Sequence, residues 1–351
     1  MPVRSPFESS IAKSGQGKVV LSLLSPANPS LSTLTYKYPL KLLTRTPGFV
    51  PQSASPSASQ PVHLYLLTYG GGLLPGDQID VSITLEPRTR LVVTTPQGST
   101  KIFKTETSPG RTLSDQSRQT LDVRIGQEAA LCYLPDPSAP FKDSRYEQIQ
   151  TFTVDQAAKG SSRSSLCVLD WVTQGRSSRG ENWHFHLWKG KNEIWLLDEP
   201  TSTENNEKKE KKKLLLRDSL ILDAETSASP QAGDHPPRSL IRERTSPHGV
   251  IGTLILYGPV FEKLSSFFVE KFTSLPRIGA RNWSSSAPAA AEAPQNHDSQ
   301  VTFTAARVRA GCVLVKFGAA DFETAKDWLG GILRGEGSIS REFGEEALLC
   351  L

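Results

Sequence analysis

No apolar run in this chain approaches the ~20 residues that a membrane-spanning helix needs. Met1-Pro2-Val3-Arg4-Ser5 does not open a secretory signal either. Cysteine is sparse: Cys132, Cys167, Cys312 and Cys350 stand far apart with no Cys-x-x-Cys pair, which excludes a disulfide framework or a sequence-local zinc site. The first three sit among strand-type residues and read as small buried hydrophobes. The expectation is a soluble, unexported, cytoplasmic chain in a reducing compartment. Aromatic residues make up only 8%, and much of the net charge of +4 comes from Lys208 to Lys213, so neither a nucleic-acid nor a membrane partner is expected. No Gly-x-x-x-x-Gly-Lys-Ser/Thr loop, His-Glu-x-x-His pair or serine nucleophile elbow occurs, and this points away from an enzyme.

What is present is strand pattern. The 351 residues are 37% hydrophobic, enough for a sizeable core, and all-β units commonly reach ~250 residues as one domain. Ile79, Val81, Ile83 and Leu85 alternate with Asp80, Ser82 and Thr84, the period of a half-buried strand. Glu86-Pro87-Arg88-Thr89 then turns into a second strand, Arg90 to Thr95, so that a hairpin is expected. Further strands are predicted at Val19–Leu24, Leu31–Tyr38, Val62–Thr68, Gln119–Ile125, Ala129–Leu134, Tyr146–Val154, Leu166–Thr173, Trp183–Trp188, Ile194–Asp198, Leu214–Leu222 and within Val301–Phe317. No internal sequence repeat marks a solenoid. Two helices are expected. Pro259–Leu275 carries Val260, Leu264, Phe267, Phe268 and Phe272 at helical spacing; Ala320–Leu333 carries Phe322, Ala325, Trp328, Leu329 and Ile332, with Asp321 as cap and Gly335 as stop. Residues 47–61, 201–213, 224–247 and 284–299 are too polar or Pro/Ala/Ser-rich to bury themselves and read as exposed insertions in a single domain spanning 1–351, with its core at about 17–333. The fold class is mainly β.

The richest stretch is Tyr69-Gly70-Gly71-Gly72-Leu73-Leu74-Pro75-Gly76-Asp77, followed by the strand pair and Thr94-Thr95-Pro96-Gln97-Gly98-Ser99-Thr100-Lys101. A strand, not a helix N-terminus, follows the glycines, so they read as backbone devices for positive φ and close approach rather than a phosphate cradle. Two later segments stand out: Tyr133-Leu134-Pro135-Asp136-Pro137 with Phe141-Lys142-Asp143-Ser144-Arg145-Tyr146, and Asp170-Trp171-Val172-Thr173-Gln174-Gly175-Arg176 with Glu181 and Trp183. Asp77, Asp143 and Glu181 lie in these segments, with Lys101, Arg145 and Arg176 as candidate partners. The structural reading is a set of turn-capping ion pairs. The functional one is a hydrated, oxygen-lined path for a divalent cation, and a third is a carboxylate pair in a carbohydrate-active hydrolase, or a plain binding module. His184 and His186, on one face of a strand and about 7 Å apart, can share a metal ion or form an ordinary solvent-facing row. Phe267, Phe268 and Phe272 with Trp328 and Ile332 supply more apolar surface than a small helix pair usually buries, and part of it is expected to meet a partner.

In order and spacing, these three segments resemble the signature of the urease accessory protein UreD family (also called UreH), from about Gly17 to Leu333. The residues that carry the likeness are Gly71, Gly72, Gly76, Asp77, Thr94, Thr95, Lys101, Pro135, Phe141, Asp143, Ser144, Arg145, Asp170, Gly175, Arg176 and Glu181. The resemblance implies an elongated, two-layered β structure of helix-like winding with a pair of α-helices. It implies no catalysis but a chaperone role: docking with a UreF-type protein, which recruits a UreG-type GTPase, and engaging apo-urease so that nickel passes transiently toward its active site. The polar insertions suggest a eukaryotic, fungal version.

Overall fold

A computed structural model describes residues 13–24, 28–45, 59–95, 100–104, 116–156, 162–197, 212–224, 240–275, 300–308 and 311–351. Most of residues 47–61, 201–213 and 224–247, and all of 284–299, lie outside the described residues. Lys212 and Lys213, however, belong to a strand, and Leu240–Thr245 (α1) is a short helix, so two expected insertions are narrower than their composition suggested. Ile241 anchors α1 in the core, which polar neighbours masked.

The architecture is mainly β. A seven-stranded sheet contains, in spatial order, β14 (Lys212–Asp223), β13 (Leu187–Leu197), β11 (Arg145–Asp155), β8 (Ser117–Ile125), β5 (Gln78–Leu85), β1 (Gln16–Leu24) and β2 (Asn28–Tyr36). An eight-stranded sheet contains β16 (Val301–Arg307), β17 (Val313–Ala319), β15 (Val250–Tyr257), β12 (Ser165–Thr173), β9 (Ala130–Tyr133), β6 (Arg90–Thr94), β4 (Val62–Thr68) and β3 (Leu40–Arg45). β1, β5, β8, β11 and β13 run parallel, as do β4, β6, β9 and β12. From β4 to β13 the chain therefore winds as a coil, laying one strand in each sheet per turn.

That winding replaces the expected hairpin at Glu86–Thr89. β5 pairs with β1 and β8, whereas β6 pairs with β4 and β9 in the other sheet. The physical reason is visible in burial. β5 alternates between buried and exposed residues, but Arg90, Leu91, Val92, Val93 and Thr94 are all buried, because the eight-stranded sheet is covered on both faces. One core lies between the sheets, with Val19, Ile83, Val123, Phe152, Val168 and Trp188 among its members. The second lies between the eight-stranded sheet and the helices.

Those helices are α2 (Glu262–Thr273), preceded by a 3-10 turn at Pro259–Phe261, α3 (Phe322–Glu336) and α4 (Ser338–Phe343). Asp321 caps α3 as expected, its Oδ1 accepting from the Thr324 N–H at 2.8 Å. The stop is Gly337, in the left-handed conformation at φ 79°, rather than Gly335, which lies inside the last turn. Phe268 and Trp328 are not available to a partner: both are buried, and Trp328 packs on Phe268, Phe303 and Phe317. The eight-stranded sheet supplies the apolar surface for which a separate protein was expected. Phe272 packs on Phe303, Ile332 is also buried, and Phe267 alone of this group is exposed. Cys132, Cys167 and Cys312 are buried free thiols, as expected, and Cys350 is buried as well.

Candidate functional site

Each time the chain leaves the eight-stranded sheet for the seven-stranded one, it passes the same edge of the molecule. The four crossovers are residues 69–77, 95–116, 134–144 and 174–186, and their described parts stack on one another. Leu73 N–H donates to the Lys101 carbonyl at 2.8 Å, and Phe103 N–H to that of Leu73 at 3.0 Å. One turn on, Phe141 N–H donates to the Ile102 carbonyl at 2.9 Å, where β7 (Lys101–Ile102) pairs with β10 (Ala139–Pro140). Further on, Asp143 N–H reaches the His184 carbonyl at 3.1 Å and His186 N–H that of Ser144 at 3.0 Å. Parts of all three motif segments thus lie on one edge of the coil, although Gly71 and Glu181 stand 110 positions apart in the chain.

The glycines make this stacking possible. A Cβ on Gly72 would stand 2.6 Å from both the Lys101 carbonyl oxygen and the Phe103 ring. Gly71 and Gly76 hold positive φ, as their context predicted. Thr94 ends β6; Thr95 Oγ1 accepts from the Asp136 N–H at 2.9 Å, and the Pro135 carbonyl accepts from Trp171 Nε1 at 2.9 Å. Lys101 is exposed, and half-buried Arg145 opens β11.

The three carboxylates share this edge, but two of them have structural tasks. Asp77 Oδ2 accepts from the Leu74 N–H at 2.8 Å and closes its own turn. Glu181 receives Arg176 through Nε at 2.9 Å, through a second guanidinium nitrogen, and through the backbone N–H at 2.9 Å. Burial pushes the Glu181 carboxyl up, but the hydrogen bonds from Arg176 and from Lys142 N–H outweigh it and hold it below its ordinary value. A glycosidase general acid needs the opposite displacement, so Glu181 does not fit that role. The Arg176 guanidinium also lies 3.8 Å from the centre of the Phe141 ring, which meets Phe103 edge to face at 5.2 Å. Asp143, at positive φ, faces outward between Lys104 Nζ at 3.4 Å and His186 Nε2 at 3.8 Å.

His184 and His186 do not occupy a strand face. β13 begins only at Leu187, and Trp183 has a φ of 58°, so the period-two reading of Trp183–Trp188 breaks down. Trp183, Phe185 and Trp188 are all buried, leaving His184 exposed and His186 beside Asp143. Among the described residues, no three His, Cys, Asp or Glu side chains converge on one point as a metal site would require.

Beneath this edge, the interface between the sheets turns polar. Asp170 points from β12 into the inter-sheet core, where Gln148 Nε2 donates to its Oδ1 at 3.1 Å and Asn192 Nδ2 to its Oδ2 at 2.7 Å. Tyr146 OH donates to Gln148 Oε1 at 3.1 Å. Gln119 and Gln150 are buried on the same side, and Asp218, paired with Lys316 Nζ at 2.7 Å, continues the row toward the far end of the sheets. Desolvation raises the Asp170 carboxyl to about 6, with Asp218 adding to the rise and the amides of Asn192 and Gln148, with Lys316, opposing it. A cavity of about 20 Å³, lined by Thr95, Asp136, Ser138, Tyr146, Gln148 and Asp170 among others, links this row to the crossovers. That is room for about one water molecule. Of this cluster the motif analysis found Asp170 but missed Gln148, Asn192 and Asp218. One signal was available: Gln148 and Gln150 share the face of β11 that begins with Tyr146 and ends with Phe152 and Val154.

The class of protein is thus a two-sheet β coil whose motif residues brace its stacked crossovers. Comparison with known sequences makes this specific: residues 15–347 match the family model described as UreD urease accessory protein. The chain is 34% identical over 268 residues to urease accessory protein 4 of Cryptococcus neoformans var. grubii, covering 72% of this chain and 73% of that protein. It is 32% identical to urease accessory protein D of Arabidopsis thaliana, covering 71% and 69% respectively. With a urease accessory protein ureD-like protein of Schizosaccharomyces pombe it shares 30% identity over 84% of both chains. The chain belongs to the UreD urease accessory protein family, and its family role is in urease maturation. No described helix is long and apolar enough to cross a membrane.

Proposed function

We propose that this chain is a non-enzymatic, cytoplasmic chaperone that holds a UreF-type protein, and through it a UreG-type GTPase, against apo-urease while nickel passes toward the urease active site. Nickel is cargo here, held only in transit. The observation that carries this reading is the buried polar row around Asp170. Asp170 is held by neutral amides, and the buried Gln150 Oε1 and Asn192 Oδ1 have no partner among the described residues; such oxygens are costly to bury unless water or an ion meets them, and oxygen ligands with water suit a divalent cation that must also be released. On this reading Asp143 and His186 stand at the outer mouth, Asp170 lies inside, and Asp77 and Glu181 keep the edge in shape.

The test is reconstitution of apo-urease with the purified accessory proteins at limiting nickel. The isosteric Asp170→Asn variant is expected to keep partner binding and to lower urease activation. Wild-type activation by Asp170→Asn would remove the route, and failure of the wild-type chain to activate urease at all would remove the maturation role.

A further inference from the structure

The N-terminal end of the molecule, β1 to β4 with the first crossover, differs in chemistry from the rest. Between Glu8 and Asp77 the sequence contains no Asp or Glu, but it contains Lys13, Lys18, Lys37, Lys41 and Arg45. Of these, Arg45 pairs with Glu346 at 3.1 Å, whereas Lys13 and Lys18 are exposed and Lys41 lies over the Tyr69 ring at 5.6 Å. Six of the eleven large apolar side chains exposed among the described residues fall in the same region: Leu24, Tyr36, Tyr38, Leu43, Tyr69 and Leu74. Tyr38 is 63% exposed and stacks obliquely on Tyr69 at 5.6 Å.

The backbone is open there as well. β2 is the last strand of one sheet and β3 the last strand of the other, so among the described residues each has one unpaired edge. The end strand of a sheet is a template for an added strand unless something blunts it. β2 carries no charged residue to do so, and its Pro29, which lacks an N–H, blunts only the end near Asn28. Beside it, an open groove of about 790 Å³ runs over the outer face of β1, β5 and β8, with Lys18 and Tyr36 on the side nearest β2 and Asp80 and Asp122 on the far side.

We propose that this end of the coil is a docking surface for an extended, acidic segment of a partner protein. Its backbone pairs with the edge of β2, its apolar side chains seat on Tyr36, Tyr38 and Tyr69, and its carboxylates meet Lys18 on the outer face of one sheet and Lys41, beside Tyr69, on the other. Charge selects this occupant. A second copy of the chain would bring the same basic surface against itself, and residues 46–58, which follow β3, have no carboxylate to offer. The assignment rests on the maturation reading for which proteins to test, and on the surface alone for where they bind.

The experiment uses the full chain with purified UreF-type accessory protein and purified apo-urease, measured separately. Zero-length carbodiimide coupling is expected to join Lys13, Lys18 or Lys41 to Asp or Glu of one of them. Tyr38→Ser with Lys41→Glu, and separately Lys18→Glu, are expected to weaken that complex by about tenfold at low salt, as the loss of one or two exposed charge pairs and an aromatic anchor would, while Lys263→Glu on α2 leaves it unchanged. Wild-type binding by both variants with couplings confined elsewhere overturns the surface but leaves the maturation role standing; absence of binding by the wild-type chain to either protein overturns both. Should a variant misfold by circular dichroism, the coupling pattern of the wild-type chain decides alone. Variant-sensitive flotation of the chain with phosphatidylserine vesicles, with protein binding unaffected, would assign the surface to a membrane and refute the proposal.

Discussion

Replacing Asp170 by asparagine keeps the shape of the side chain and removes a charge that the inter-sheet core holds at a cost. The carboxyl stands at about 6 instead of 3.8, which corresponds to about 3 kcal/mol once both folded and unfolded chains are ionised. Because the folded chain keeps this proton to higher pH than the unfolded chain, it binds more protons between about pH 4 and 6. Stability therefore falls as the pH rises through that window and levels off above it. The asparagine variant lacks this slope, and its new amide can be accommodated. Asn192 Oδ1 makes no hydrogen bond among the described residues, so a turn of the Asn192 amide presents an acceptor where a donor stood. Urea denaturation should show the variant gaining on the wild-type chain by about 1.5 kcal/mol at pH 5 and about 3 kcal/mol at pH 7.5. A difference that does not change with pH would refute the argument, and so would a variant less stable than wild type at pH 7.5. The same substitution is expected to impair urease activation, so stability and function should move in opposite directions.

Two further predictions concern the crossover edge. Arg176→Ala leaves Glu181 with only its backbone donors and should cost about 2 kcal/mol at neutral pH; since the ion pair holds the Glu181 carboxyl down, this difference should shrink as the pH falls below about 4.5, readable in the same denaturation series. Gly175→Ala places a methyl 3.0 Å from both Glu181 Oε2 and the Pro140 carbonyl at a φ of 104°, and should lower stability by about 1–3 kcal/mol; a melting temperature equal to wild type would show that the edge relaxes around the added methyl.

Strand positions and their buried faces were largely legible in the amino-acid order, because period-two alternation is a local property. β5 with Ile79, Val81, Ile83 and Leu85, and β8 with Leu121, Val123 and Ile125, lie as their patterns predict. The cap at Asp321 and the helical spacing after it are local in the same way. Family membership was legible too, since it resides in short segments whose glycines and carboxylates serve their own turns. Sheet membership was not. A strand followed by a four-residue turn satisfies its pattern equally well in a hairpin or in a crossover, and the choice depends on which neighbouring strands share its edge. The coil left no repeat in the sequence because each turn fills the core with different side chains, requiring only apolar residues on the inner face. Asp170 meets Gln148 and Asn192, each 22 residues away, only because three strands from two sheets face one another there. The burial of Phe268 and Trp328 was likewise decided by a sheet folded against them. Amino-acid order determined which residues are sided and where the chain turns; long-range pairing decided which sides meet, since backbone hydrogen bonding between strands carries no side-chain label.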